Sequence, residues 1–456
     1  MDFWRASCVV LAPAAGSPEA GGWSQFRCPL CRTGLRWCDI GANRKVVMVA
    51  DPTVEFDRFA GPHLADPYPL YRQARDGPGV FFADAFGMWI VTRYEDVRTV
   101  LTDSTRFSSA YLIRTPLQPA PGVAEILRQG HPEVRILLNE DPPDHSRARA
   151  LVAKAFSPRR VAALQPRVQQ ITDELIDAFA GAGQADLVRQ LTWPLPLRVI
   201  CELIGLPVGD AGQVRAWTDD LARLTSFGST AEEQCAGAHG SVAFERYLAD
   251  QIDQRRRAGR DDLLTAILSA GGPDGGQPLT DGEVISLLIT LVFGGHETTA
   301  NLIGNALLLL LHRPERWAAI RSDPGLIDAV VEETLRVDPP VQGMFRVAVA
   351  DTQLAGVTIP AGAQVFAVMG SANHDPDAFP DPDSVDPGRS GSERHLAFGH
   401  GIHFCIGAVL ARAEARTALG TLARRIPDLR LAPGFGVPYL PNLMHRGPQR
   451  LDAVWP

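Results

Sequence analysis

Apolar residues recur at helical spacing through most of the chain, and strand-like alternation is confined to short pieces. Leu64 to Arg75 reads as a short helix, entered through prolines and stopped before Gly77-Pro78. Val80-Phe-Phe and Met88-Trp-Ile-Val91 flank Gly87 and predict a hairpin. Tyr94 to Leu101 returns to helix. Residues 104–138 are Pro-containing and weakly periodic, which marks a long functional or unstructured loop. Helices are predicted at 161–180, 195–204, 208–225, 231–258 and 261–270, followed by a turn-rich loop at 271–276.

Thr280-Asp-Gly-Glu283 is a capping box. The helix it opens runs to Arg313, before Pro314, and at 1.5 Å per residue is roughly 48 Å long. Its apolar stretch, Val284 to Leu311, is interrupted by His296-Glu297-Thr298-Thr299 and Asn301. That predicts a buried core helix and not a membrane span. Ala329 to Arg336 is helical, a strand-rich patch follows Arg346, and Ala408 to Arg416 is an amphipathic helix. Residues 48–456 show no internal repeat and no low-complexity linker, so they are expected to form one unit. Residues 1–47 are rich in Gly, Ala, Trp and Cys without a period. They are expected to be an extension, either disordered or translated from an upstream start codon.

Composition narrows the function classes. The hydrophobic share of 45% and charged share of 21% are those of an ordinary globular protein. A net charge of −8 argues against general nucleic-acid binding. The apolar patch at Met1 to Pro13 is too short to span a bilayer, and Trp4 and Arg5 leave little secretory core. A cytoplasmic protein without membrane contact is expected. The 7 cysteines lack the spacing of a disulfide framework. Cys28-Pro-Leu-Cys31 has CxxC spacing, yet no His lies near, and Cys8 and Cys38 would complete a zinc site at unusual spacings.

The most specific stretch is Phe398-Gly-His-Gly-Ile-His-Phe-Cys405-Ile-Gly407. Gly399, Gly401 and Gly407 allow tight turning and close approach to a flat partner. Cys405 sits at a helix N-terminus, where free amides and the dipole favour a thiolate. An inert cysteine, a nucleophile and a haem ligand are the open readings. In the long helix, Gly294 and Gly295 weaken the backbone and ask for a reason, such as a flat ligand against it. Glu297 and Thr298 within an apolar stripe are costly without chemistry or partners. His145 and Arg149 are four apart and share a helix face. Glu333 and Arg336 are three apart and can pair.

Together these stretches resemble the cytochrome P-450 family. The Cys405 stretch matches its haem loop F-G-x-G-x-H-x-C-x-G, and 294–298 matches [A/G]-G-x-[D/E]-T. Glu333 and Arg336 match E-x-x-R, and Asp386-Pro-Gly-Arg389 resembles the segment that joins it, with Val385 where members often carry Phe. The resemblance covers about 400 residues and implies an α-rich α+β fold with a long central helix and small sheets to one side. It implies haem b (iron protoporphyrin IX) ligated by Cys405 and seated against Phe398, Gly399, Gly407, Gly294 and Gly295. His145, Arg149, Arg346 and His403 are implied partners of its propionates, and Glu297 and Thr298 a relay of protons to O2. His296 fills a variable slot and is expected to be packing or surface.

The implied activity is that of a soluble, monomeric bacterial-type monooxygenase oxidising a C–H bond, plausible in secondary metabolism. Rivals are a peroxygenase or oxidative coupling enzyme of the same fold, a non-catalytic haem sensor, and a zinc-binding interaction protein. Reducing equivalents would come from NAD(P)H through an acidic ferredoxin. Arg147, Arg149, Lys154, Arg159 and Arg160, with Arg412, Arg416, Arg424 and Arg425, would steer it to the Cys405 side. Stretches 104–125, 220–232, 287–295 and 341–345 are expected to line a pocket for a hydrophobic small molecule.

Overall fold

The computed structural model describes residues 36–39, 45–48, 55–59, 61–110, 120–132, 134–225, 229–270 and 278–456. Cys28, Cys31, the loop 271–276 and part of the stretch 104–138 lie outside them. The chain divides into two units, Met1–Pro52 and Thr53–Pro456. In the first, β1 (Arg36–Asp39) and β2 (Lys45–Met48) pair antiparallel.

The second unit opens with α1 (Tyr68–Asp76), β3 (Val80–Ala83), β4 (Met88–Val91), α2 (Tyr94–Thr102) and β5 (Phe107–Ser108). A helical run follows: α3 (Val123–Leu127), α4 (Asp144–Ala153), α5 (Pro158–Asp177), then β6 (Gln184–Asp186), α6 (Pro194–Ile204), α7 (Ala211–Thr225), α8 (Ala231–Arg257) and α9 (Leu263–Ser269). The long helix is α10 (Asp281–Leu311). After it come α11 (Pro314–Ser322), α12 (Ile327–Val337), β7 (Met344–Ala348), β8 (Thr352–Leu354), β9 (Val357–Ile359), β10 (Gln364–Ala367) and α13 (Met369–Ala372). The chain closes with α14 (Ala408–Arg425), β11 (Arg430–Leu431) and β12 (Asp452–Val454). Helices dominate and the sheets are small, as the patterning predicts.

Helix α10 organises the unit. Its 31 residues span about 46 Å. The box at its start is closed in both directions: Glu283 N–H donates to Thr280 Oγ1 at 3.3 Å, and Thr280 N–H to Glu283 Oε2 at 2.7 Å. The helix is apolar on nearly every side because α6, α8, α12 and α14 all pack on it. Among the described residues no helix is long and apolar enough to cross a membrane.

A five-stranded sheet, ordered β3-β4-β10-β7-β5, stands beside the helices. Only the β4–β10 pair is parallel. Strand β7 carries Arg346 opposite Val365 of β10. Behind the site, α12 holds a buried charge network. Arg336 Nη2 and Nε donate to Glu333 Oε1 and Oε2 at 2.7 and 2.9 Å, and neither side chain is exposed. Arg389 Nε reaches Glu333 Oε1 at 3.4 Å, and Asp386 N–H reaches it at 2.9 Å. The Val385 departure therefore leaves this junction intact.

Candidate active site

All the residues that the sequence nominates for the site line a single cavity of about 390 Å³. One wall is the loop before α14. Cys405 N–H donates to the Phe398 carbonyl at 2.9 Å and closes the loop. Gly399 and Gly401 have φ of +71° and +73°, a left-handed conformation that strains any side chain. Gly407, at φ −86°, needs no such freedom. The tight turning expected of three glycines thus falls on two.

Cys405 lines the cavity, with residue surface open to it while protein atoms crowd the sulfur. Burial among protein atoms pushes its thiol up. The N–H of Gly407, the cations Arg149 and Arg412, and the N–H of Ala408 pull it down without reversing the direction. The helix-terminal preference for a thiolate is present, but burial outweighs it until a positive charge meets the sulfur. Arg149 Nη2 also donates to the Phe404 carbonyl at 2.6 Å, tying α4 to the loop. Arg412 lies over the Phe398 ring at 4.5 Å and grips both oxygens of Glu332 at 2.5 and 2.8 Å.

A second wall is a cradle of bases. His145 and Arg149 come from α4, Arg346 from β7 and His403 from the loop. The His145 and His403 rings lie 4.2 Å apart. Burial, then repulsion by Arg346, His145 and Arg149, drives His403 down to about 3. Burial lowers His145, with Arg149 adding to it, and lowers Arg346 to about 10. Both ring nitrogens of His145, and Nε2 of His403, are buried without a partner. The neighbouring carboxylate, Asp141, accepts from Ser109 N–H at 2.9 Å and makes no ion pair with the four among the described residues. Four crowded bases, two of them imidazoles with unpartnered nitrogens, are a seat for an anion.

The third wall is α10. A Cβ on Gly294 would meet nothing within 4 Å, whereas one on Gly295 would meet Ile200 of α6 at 3.2 Å. The adjacent glycines therefore differ: the first bares backbone to the cavity, the second lets α6 approach. Thr298 Oγ1 donates to the Gly294 carbonyl at 2.7 Å. Glu297 Oε2 lies 3.3 Å from His445 Nδ1. His296 is packing: its ring sits 4.5 Å from that of Trp193, and burial holds it down to about 4.

The family model described as Cytochrome P450 matches residues 242–324 and 325–426. Cytochrome P450 107B1 of Saccharopolyspora erythraea is 42% identical over 371 residues, which are 80% of this chain and 89% of that one. This chain belongs to the cytochrome P450 family. The cytochrome P450 monooxygenase PikC of Streptomyces venezuelae is 41% identical over 412 residues, 89% of this chain and 94% of PikC. The solved structure of cytochrome P450 CREJ in complex with (4-ethylphenyl) dihydrogen phosphate matches with a TM-score of 0.83 at 33% identity, covering 86% of this chain and 98% of that one. The protein is accordingly a P450 monooxygenase, an oxidoreductase, and the P450 family implies haem. The residues fit that group. A sulfur at the cavity wall suits the iron, and the four bases suit two propionates.

The P450 surface differs from its sequence in one respect. Arg416 pairs with Asp328 at 3.2 Å, Arg424 and Arg425 with Asp173 at 3.7 and 3.5 Å, and Arg147 with Glu283. With the Arg412–Glu332 pair, most of the basic cluster is neutralised by acids far away in sequence. Lys154, Arg159 and Arg160 are exposed and have no acidic partner among the described residues. The pocket forecast also shifts. Stretches 220–232, 287–295 and 341–345 contribute lining, but no described residue of 104–125 does. Leu137, Phe156 and the run 441–445 line it instead. Patterning gave no signal for 441–445, an irregular loop. Glu414, on α14 between Arg412 and Arg416, adds one more buried group to the lining. It is fully enclosed, burial pushes it well up, and its Oε2 lacks a partner.

Proposed function

We propose that this P450 inserts one atom of O2 into a C–H bond of a hydrophobic small molecule and reduces the other to water. Electrons from NAD(P)H would arrive through a reductase and an acidic ferredoxin, in the cytoplasm. The observation that carries this reading is that Cys405 and the Glu297-Thr298 pair line the same cavity. Haem b, when bound, supplies oxygen activation and C–H oxidation.

The chain's own residues do the rest. Cys405 Sγ would be the iron's protein ligand, and the N–H groups of Gly407 and Ala408 donate to it and would steady its charge. His145, Arg149, Arg346 and His403 would bind the haem propionates, each neutral imidazole donating through its one N–H. Gly294 would leave room for a flat group beside α10. Thr298 keeps a hydroxyl at the cavity surface, and Glu297 exchanges protons beside it. Apolar lining such as Leu291, Phe293, Val341 and Phe345 excludes water and takes the substrate.

Named relatives support a role in secondary metabolism: nocardicin C N-oxygenase of Nocardia uniformis subsp. tsuyamanensis is 40% identical, and mycinamicin IV hydroxylase/epoxidase of Micromonospora griseorubida 41%. The unit Thr53–Pro456 would act as one monomeric haem unit. The test is Cys405→Ala. It should abolish the thiolate signature of the reduced, CO-bound spectrum, and a retained signature would overturn the ligand assignment. Difference spectra of the wild type against a compound library then identify the substrate.

A further inference from the structure

Glu297 has a partner that no sequence pattern announces. His445 Nδ1 lies 3.3 Å from its Oε2, and the two side chains are 10% and 18% exposed. The loop presenting His445 is fixed on both flanks. Asn442 Oδ1 accepts from the N–H of Met444 and of His445, each at 2.9 Å. Gln342 N–H donates to the Met444 carbonyl at 2.6 Å. Arg446 is anchored by Asp338 at 2.8 Å and by the carbonyls of Leu64 and Ala65. Phe293, one turn before Glu297, packs 5.9 Å from the imidazole. The ring is aimed at Glu297 by a rigid support.

We propose that His445 is the positioning residue for Glu297: as an imidazolium it clamps the carboxylate, and as a neutral ring it releases it. This rests on the reading of Glu297 as a proton carrier. A carboxyl group passes protons best when its pKa is near the working pH. Burial pushes Glu297 up, but attraction to His445, their hydrogen bond and His296 bring it below its ordinary value. Burial opposes charge on His445, and Glu297 outweighs it, so His445 is raised. While the pair holds, Glu297 is a fixed anion. Once His445 loses its proton, burial dominates, and Glu297 moves toward the range where it takes up and yields protons.

The other charges nearby act on Glu297 less than His445 does or are engaged elsewhere; His296 lowers it least. His296 is turned to Trp193. Asp219 on α7 is raised by burial, answers to Arg215 and Arg223, and is repelled by Glu297. Arg446 is engaged with Asp338. Among the described residues His445 is the group hydrogen-bonded to the Glu297 side chain.

The experiment has two arms on the haem-loaded protein. In the first, the reduced, CO-bound form is labelled with 15N-histidine, and His445, assigned through His445→Gln, is titrated by NMR. Its midpoint should lie above the ordinary histidine value and fall by about one unit in Glu297→Gln. In the second, NADH is oxidised through a plant-type ferredoxin and its reductase, and consumed O2 is apportioned between peroxide and water, which requires no substrate. The peroxide share should fall as pH rises through the His445 midpoint. His445→Leu should give a low share at every pH, and His445→Lys, a lasting cation, a high one. A midpoint unmoved by Glu297→Gln, or a pH inflection that survives in His445→Leu, overturns the clamp. An unchanged share in Glu297→Gln overturns the proton-carrier reading instead, and the NMR arm then still decides whether the pair exists.

Discussion

The Thr298 hydroxyl spends its hydrogen on the Gly294 carbonyl, which leaves its lone pairs toward the cavity. Thr298→Ala removes that acceptor without emptying the core. It should keep haem content and the CO-bound spectrum while product formed per NAD(P)H drops, roughly 10²-fold if the hydroxyl serves proton transfer. Unchanged coupling would take Thr298 out of the relay. Glu332 makes a different residue-scale case. Burial alone would raise it, but Arg412 and His395 hold it down to about 2. A folded pKa below the unfolded one stabilises above about pH 4.3, and that stability is lost as pH falls toward 2. The effect is on the order of 2–3 kcal/mol. Glu332→Gln should flatten the acid limb of denaturation over that window. A limb as steep as in the wild type would place the acid sensitivity on other carboxylates.

Helix α12 concentrates the risk at the element scale. Glu333, itself buried, answers to the buried Arg336, the nearly buried guanidinium of Arg389 and one backbone N–H. Glu333→Gln leaves Arg336 and Arg389 without a counter-charge and should cost about 3–5 kcal/mol. Chemical denaturation would measure it, and a loss under 1 kcal/mol would mean that the carbonyls of Asn373, Pro382 and Ser384 suffice for Arg336. Elements of this kind are legible in sequence because their signals are local. The capping box and the apolar run disclose α10, and the three-residue spacing discloses the Glu333–Arg336 pair. What stays hidden is whatever long-range contact decides. Glu332 and Arg412 are 80 positions apart and Asp173 and Arg425 are 252, so a count of charges on α14 alone missed their cancellation. The run Pro441 to His445 has no period to read, and its place on the cavity wall follows from the bonds of Asn442 and Gln342.

At the scale of the whole molecule, Lys154, Arg159 and Arg160 are the members of the basic set expected on the Cys405 side that keep no acidic partner among the described residues. Exposed Ile402, Phe404 and Val409 border the Cys405 loop. Ferredoxin-driven turnover should slow as salt rises, because the Debye length falls from about 10 Å at 0.1 M to about 3 Å at 1 M. The double change Arg159→Glu, Arg160→Glu should weaken it while sparing peroxide-driven turnover. Arg412→Glu should impair both, since it strands Glu332 and removes a cation acting on Cys405. Equal loss in both assays for the Arg159, Arg160 pair would move the docking face elsewhere. The bond from Arg149 to the Phe404 carbonyl joins positions 255 apart. During synthesis at about 5–20 residues per second, α4 leaves the ribosome roughly 13–50 s before its cysteine loop exists. For that interval His145 and Arg149 have neither the loop nor the later bases Arg346 and His403 to meet. If Cys405 holds the haem as proposed, a nascent chain halted short of it should lack the thiolate signature, and cofactor capture would belong to the last moments of the protein's making.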